Sequence, residues 1–161
     1  MLVLLLVVNT LLFNACSGHT GGLFMQEDKR ADARMEQIVS AIKDKDKEAL
    51  KTLFSQKALN EASDFDDEID YLFDLIQGDI VFWERDGWAS SKSITHGKKT
   101  LMIRCSLDIE TDKDTYSFFV IDYNIDTLNP DNQGVFMLEL ITDTGNLKSW
   151  QDRMRAGIYI H

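Results

Sequence analysis

Three apolar runs decide the fold of this chain: Thr100–Ile109 (TLMIRCSLDI), Tyr116–Tyr123 (YSFFVIDY) and Val135–Ile141 (VFMLELI). Each run is alternating or continuously apolar, and turn residues separate it from the next. Runs of this kind are typical of adjacent antiparallel strands. We therefore predict an antiparallel sheet that forms the floor of the hydrophobic core.

Amphipathic helices precede this sheet. The pattern predicts one helix over residues 31–43, a second that begins at Asp46, and a third that begins at Ser63 or Asp64 and ends at Gly78. Helices followed by an antiparallel meander predict the α+β class, with about three helices on one face of four to six strands. Two stripes at helical spacing carry this prediction: Met35, Ile38, Val39 and Ile42, and Ile69, Leu72, Phe73 and Ile76.

Turn residues divide the remaining chain. Asp86-Gly87 predicts a turn between the run 79–83 and a strand over 88–94. A second turn is predicted at 95–98, and residues 147–161 are expected to pack back onto the core, with one helical turn around 151–155.

The length and the charge of the chain limit the classes of function that are possible. The chain has 161 residues, 44% hydrophobic, which fits a single globular domain with a leader. Asp and Glu number 27 against 17 Lys and Arg, a net charge of -10, and no basic cluster occurs. Nucleic acids are bound through such clusters, so we exclude nucleic-acid binding.

The N-terminal residues predict where the protein is located in the cell. Residues 1–15 carry no charge, and their apolar run is too short to span a bilayer but is typical of a signal peptide. The ending Phe13-Asn14-Ala15-Cys16 resembles a bacterial lipobox, whose cysteine is lipidated. We predict a signal peptide over 1–15, a lipidated Cys16 with a flexible tether over 16–29, and one domain over 30–161. The protein would then lie on the outer face of the bacterial cytoplasmic membrane; an ordinary cleaved signal with an incidental cysteine is the alternative.

Neither the acids nor the cysteines predict a metal or cofactor. The acids at 64–70 open a helix, where they complement its dipole, and their spacing does not fit a calcium loop. The acidic segment 126–134 is interpreted as turns. Cys105 shares strand parity with Leu101 and Ile109, so it is expected to be a small buried residue rather than a catalytic thiol.

The segment Ile42–Phe54 resembles the opening of bacterial nuclear-transport-factor-2-like domains, which share the cystatin-like cone fold. The later segments 65–79, Tyr116–Tyr123, Asn129–Asn132 and Gly157–Tyr159 are similar to an uncharacterised lipoprotein family of Gram-positive gut bacteria within that group. The resemblance covers about residues 31–161. It implies N-terminal helices on the concave face of a strongly curved antiparallel sheet. Some relatives use an Asp, His or Tyr there for isomerase or dehydratase chemistry, while others only bind or form homodimers through the sheet.

Strand alternation gives a prediction for the site. We expect Phe119, Ile121 and Tyr123 to face the helices. In that case the Tyr123 hydroxyl is the only polar side-chain group on the concave face of the sheet. The charged residues predicted on the outer face are Arg104, Asp108, Asp122 and Glu139. The remaining titratable candidates, namely His96, His161 and the pair Glu84 and Asp86, are interpreted as solvated.

We therefore predict a pocket that binds a small apolar or aromatic ligand, or a peptide, without catalysis and without a cofactor. Tyr123 would be its main polar contact, and Trp83, Trp88 and Trp150 its rim. Two alternatives stay open. One is a small cone-fold enzyme of the isomerase or dehydratase type. The other is an accessory protein that acts through an apolar patch on the outer sheet face.

Overall fold

The computed structural model describes residues 20–62, 64–142 and 154–158. Four helices come first: α1 (Thr20–Lys43), α2 (Lys47–Leu53), α3 (Gln56–Glu61) and α4 (Phe65–Leu75). Five strands follow: β1 (Ile80–Thr95), β2 (Lys98–Thr111), β3 (Thr115–Asp126), β4 (Gly134–Thr142) and β5 (Met154–Ile158). They form one antiparallel sheet in chain order, with a short 3₁₀ turn at Pro130–Asn132 before β4. The predicted α+β class is confirmed.

Side-chain caps start the short helices. Asp46 accepts a hydrogen bond from the amide of Ala49 at 2.8 Å, and Asp64 accepts one from the amide of Asp67 at 3.4 Å. These two predicted helix starts are confirmed. Helix α3 is not predicted by the sequence pattern; the Ser55 hydroxyl caps it.

Helix α1 begins earlier than the sequence pattern predicts. It starts at Thr20, so the described part of the predicted tether, residues 20–29, is helical. Glu27, within this part, is buried because it lies against β1, where it accepts a hydrogen bond from Ser90 and pairs with Lys92. The apolar stripe alone could not show this extension, since it begins at Met35.

Strand β1 is continuous where the sequence predicts a turn. Its register with β2 shifts between Glu84 and Gly87, so Asp86-Gly87 forms a bulge rather than a hairpin. The hairpin lies at His96-Gly97, with φ of 51° and 79°, as in the two-residue loops that match strand twist. Residues 154–158 form β5, whereas a helical turn was predicted around 151–155; residues 151–153 lie outside the described part.

One hydrophobic core fills the space between the helices and one face of the sheet, called the inner face here. On β2 the odd-numbered residues from Leu101 to Ile109 are buried, as predicted. On β3 the predicted parity is wrong. Residues 116, 118, 120 and 122 are buried, because Phe118 pairs with Leu107 and Val120 with Cys105. Asp122 therefore faces the helices.

The opposite, outer face carries the residues that were expected inside. Phe119, Ile121 and Tyr123 of β3 are only partly buried there. Arg104 and Asp108 lie on this face as predicted, since Arg104 pairs with Ile121 and Asp108 with Ser117. Glu139 pairs with Phe119 and belongs to the same face, yet it is 5% exposed.

Gly134 provides a test of this packing. Its φ is 117°, and a Cβ added there would lie 2.9 Å from the carbonyl oxygen of Leu53 and 2.9 Å from the amide nitrogen of Ser55. Gly134→Ala should therefore lower the free energy of unfolding by about 2–4 kcal/mol, measured by urea denaturation. Gly87→Ala is the control, because a Cβ at Gly87 meets no atom within 4 Å. It should change stability by less than about 0.5 kcal/mol; equal losses for both variants would contradict the close approach of β4 to the α2–α3 junction.

Candidate functional site

A partly buried ion pair joins α1 to β3, the middle strand of the sheet. Arg34 Nε donates to Asp122 Oδ2 at 3.2 Å, and the Asn124 amide donates to the same oxygen at 2.5 Å. The Asp122 side chain is 3% exposed and that of Arg34 is 24% exposed. Arg34 also donates to Gln37 Oε1 at 3.2 Å, which fixes the guanidinium along the helix. The carboxylate is therefore held from two sides.

Burial dominates the electrostatics of Asp122. Desolvation raises the pKa of its carboxyl group, while Arg34 and Asn124 oppose that rise. Its second oxygen, Oδ1, is buried and has no hydrogen-bond partner within the described part of the chain. A buried acceptor without a partner destabilises the fold, so this carboxylate is a costly feature.

Two β-bulges flank Asp122. Tyr123 pairs with Met102 and Ile125 with Leu101, so Asn124 is an extra residue on β3. The register with β4 also shifts, between Ile121 and Asp122. Bulges re-aim side chains locally, and they are common beside binding sites. Here the shift on β3 accompanies the turn of the Asn124 amide towards the Asp122 carboxylate.

A cleft of about 360 Å³ opens beside this ion pair. Arg30 and Arg34 enter it from successive turns of α1, because residues four apart share a helix face. Arg30 is exposed and forms no ion pair or hydrogen bond with any described residue. Two arginines and one aspartate leave a net charge of +1 at the cleft, on a chain of net charge -10. The lining residues are Arg30, Ala33, Arg34, Gln37, Asp122, Asn124 and Ile125.

The predicted aromatic pocket residues do not meet. Trp83 and Trp88 pair with Ile109 and Cys105, lie on the inner face and pack against the core. Tyr123 lies on the outer face, where its ring contacts Phe136 at a centroid distance of 5.3 Å. The remaining two predicted site residues, Cys16 and Trp150, lie outside the described residues.

The other reactive candidates have structural surroundings. Burial raises the pKa of the Cys105 thiol to about 11, so it is protonated at neutral pH and a poor nucleophile. His96 forms the β1–β2 turn, and Glu84 and Asp86 are exposed beside the bulge. Asp126 accepts from the amides of Leu128 and Asn129 and so organises its own loop, as the turn interpretation predicts. Among the described residues, no cluster of His, Cys, Asp or Glu could hold a metal ion.

Residues 37–143 match the family described as a domain of unknown function, DUF5104. The chain belongs to this family. No curated protein matches the chain. Within the described residues, no helix is long and apolar enough to cross a membrane.

The DUF5104 match covers β1 to β4 and therefore includes Asp122 and Asn124. Gln37 is the first matched residue, so the two arginines of the cleft precede the match. Strand alternation predicts Asp122 on the outer face, so the cleft does not follow from the sequence pattern. The signal that could have found it is the pair Asp122 and Asn124 in an otherwise apolar strand, opposite basic residues of α1.

The ion pair predicts a pH-dependent effect of one substitution. Because the folded pKa of Asp122 is raised, its ionisation costs stability as pH rises above the ordinary value of 3.8. Arg34→Met keeps the aliphatic packing but removes the charge that offsets this cost. The variant should lose about 2–3 kcal/mol of unfolding free energy at pH 7 and much less at pH 4, measured by urea denaturation.

The exposed pair of Lys51 and Asp66, 3.1 Å apart, provides the control. Lys51→Met should cost less than about 1 kcal/mol and show little difference between the two pH values. An Arg34→Met loss that is the same at pH 7 and pH 4 would contradict a charged, desolvated Asp122.

Proposed function

We propose that this DUF5104 protein is a binding domain that holds a small anionic ligand in the cleft beside Asp122. The observation that carries the proposal is Arg30, an exposed guanidinium without a partner among the described residues, in a positively charged cleft of an acidic protein. Arginine is suited to carboxylates and phosphates because its planar fork can donate two parallel hydrogen bonds.

The remaining lining residues favour a polar ligand of modest size. The Gln37 and Asn124 amides offer donors and acceptors, while Ala33 and Ile125 supply limited apolar surface. A volume of about 360 Å³ lies near the lower end of the range for small-molecule sites. This ligand class differs from the apolar or aromatic ligand or peptide predicted from the sequence. The change follows from the separation of Tyr123 from Trp83 and Trp88 on opposite sheet faces.

Acid–base catalysis at Asp122 is the second candidate. A general base or acid must be dry enough for its pKa to move towards neutrality, and burial raises the pKa of Asp122. Against this, Oδ2 is already occupied by Arg34 and Asn124, and Oδ1 is buried. Binding therefore uses the exposed part of the cleft, whereas catalysis would first require Asp122 to become accessible.

The membrane anchor is the second part of the proposal. The lipobox-like ending at Cys16 favours export and lipid attachment on the outer face of the cytoplasmic membrane. One acyl chain binds membranes only marginally, so a stable anchor needs the two or more chains expected at such a cysteine. The ligand site would then face the extracytoplasmic space.

Thermal-shift measurements test the binding site. We expect stabilisation by some members of a panel of inorganic phosphate and small mono- and dicarboxylates. A ligand at about 100 times its Kd adds about 2.7 kcal/mol, which raises Tm by several degrees. Arg30→Gln should abolish the shift without changing the basal Tm, because this side chain has no described partner.

Arg104→Gln is the matched control for charge, because Arg104 is an exposed arginine on the outer face. It should leave the ligand shift intact. Loss of the shift in both variants would indicate non-specific screening, and no shift with any anion would overturn the proposed ligand class. Chemical conversion of a stabilising ligand that is lost in Asp122→Asn would favour the enzyme instead.

Cell fractionation tests the anchor. Wild-type protein should be recovered with the membrane fraction, and Cys16→Ser should shift to the soluble or unprocessed form because the acylated sulfur is lost. Cys105→Ser is the control, since that thiol is buried in the core and should leave the distribution unchanged. Membrane recovery of Cys16→Ser equal to wild type would contradict lipidation.

A further inference from the structure

Strand β1 lies at one edge of the sheet, and α1 contacts it through Glu27, Asp28 and Asp32. Its only strand neighbour among the described residues is β2. The described residues expose five large apolar side chains, and three of them lie on β1: Val81, Phe82 and Ile94, at 62%, 53% and 72%. Long edge strands with exposed apolar residues are templates for pairing with another chain.

The half of β1 from Gly87 to Thr95 is the part suited to such pairing. It pairs with β2 in one unbroken register, whereas the bulge ends before it, between Glu84 and Gly87. It contains no proline, and most of its residues are small. Thr95 and Lys98 flank the two-residue turn, which makes them a hydrogen-bonded pair. By alternation, the peptide groups of Trp88, Ser90, Lys92 and Ile94 then point towards the open edge.

We propose that a second copy of the chain pairs with this segment, antiparallel and about a twofold axis at Ser91. In this register the residues whose peptide groups point outward meet one another. Trp88 lies opposite Ile94 of the second copy, Ser90 opposite Lys92, and Ser91 opposite Ser91. Two five-stranded sheets would become one continuous sheet of ten strands.

The apolar side chains complement each other in this register. Trp88 pairs with Cys105 and Ile94 with Lys99, so both side chains share the inner face. Ile94 is the most exposed large apolar residue described, at 72%, and Trp88 is partly buried. A cross-strand aromatic–aliphatic pair is among the stabilising combinations in antiparallel sheets. The pairing would therefore cover the Ile94 side chain of both copies.

The charges complement each other as well. Lys92 is the only charged residue from Gly87 to Thr95, and it pairs with Glu27 of the same chain. Glu27 also accepts a hydrogen bond from Ser90 at 3.0 Å. Because Ser90 lies opposite Lys92 of the second copy, each Glu27 comes close to the lysine of the other chain. An edge lysine usually discourages pairing, but this one meets an acid.

Cysteine cross-linking in cells that express the full chain tests the proposed axis. Ser91→Cys places two thiols opposite each other in a non-hydrogen-bonded pair, within the distance that a disulfide spans. A thiol oxidant should shift this variant to doubled mass on a non-reducing gel, and reductant should reverse the shift. Ser93→Cys is the matched control. It is an exposed serine on the same strand and face, but its two copies would be about four residues, or roughly 13 Å, apart along the strand.

The result expected is a reversible dimer for Ser91→Cys, little or none for Ser93→Cys, and loss of the Ser91→Cys dimer when Ile94→Lys is added. One strand pair is a small interface, so we expect the uncross-linked dimer to dissociate on dilution. Equal cross-linking of both serine variants, or none in either, would overturn the proposed register. A disulfide adduct of any other mass at Ser91→Cys would assign the edge to a different protein and overturn self-pairing.

Discussion

Covering one apolar sheet face with α1 is the constraint on which the rest of the structure depends. The buried apolar residues of β2 to β5 must be covered by helices. Helix α1 is part of this helical layer and contributes Met35 and Ile38 to the core. Ion pairs hold α1 on two strands. On β1, Lys92 pairs with Glu27, and Arg85 pairs with Asp28 and Asp32. On β3, Asp122 pairs with Arg34. The apolar residues supply most of the stabilisation, while the ion pairs fix where the helix lies across the strands.

The same packing creates the cleft. Helix α1 desolvates Asp122 because it lies over β3, and its next turn towards the N-terminus presents Arg30 to solvent. The bulge on β3 adds Asn124 beside the carboxylate. Three ordinary features, a helix crossing, a bulge and an arginine pair at i and i+4, thus produce a polar, positively charged site on an acidic protein. None of them alone would do so.

Sequence patterns predicted the elements better than the faces. The helices were predicted correctly because their signals are local. These signals are the apolar stripes at Met35–Ile42 and Ile69–Ile76 and the caps at Asp46 and Asp64. In β3 the run Phe118–Ile121 is apolar on both faces, so its own alternation cannot say which side is buried. The register with β2 decides it, and that is a long-range property. The site depends on the face of β3 to which Asp122 belongs. Because the two faces of β3 were exchanged in the prediction, the site was predicted from the wrong side chains.

Asp122 is difficult to explain as a purely structural residue. A buried ion pair contributes little net stability, and an apolar residue of similar size commonly does as well or better. Here the balance is poorer still, because Oδ1 has no partner among the described residues and burial raises the pKa. The Lys51–Asp66 pair between α2 and α4 shows the less costly arrangement, since both side chains are exposed to water. A costly carboxylate that holds Arg34 beside an open cleft is better explained by the positive charge it organises there than by the stability of the fold.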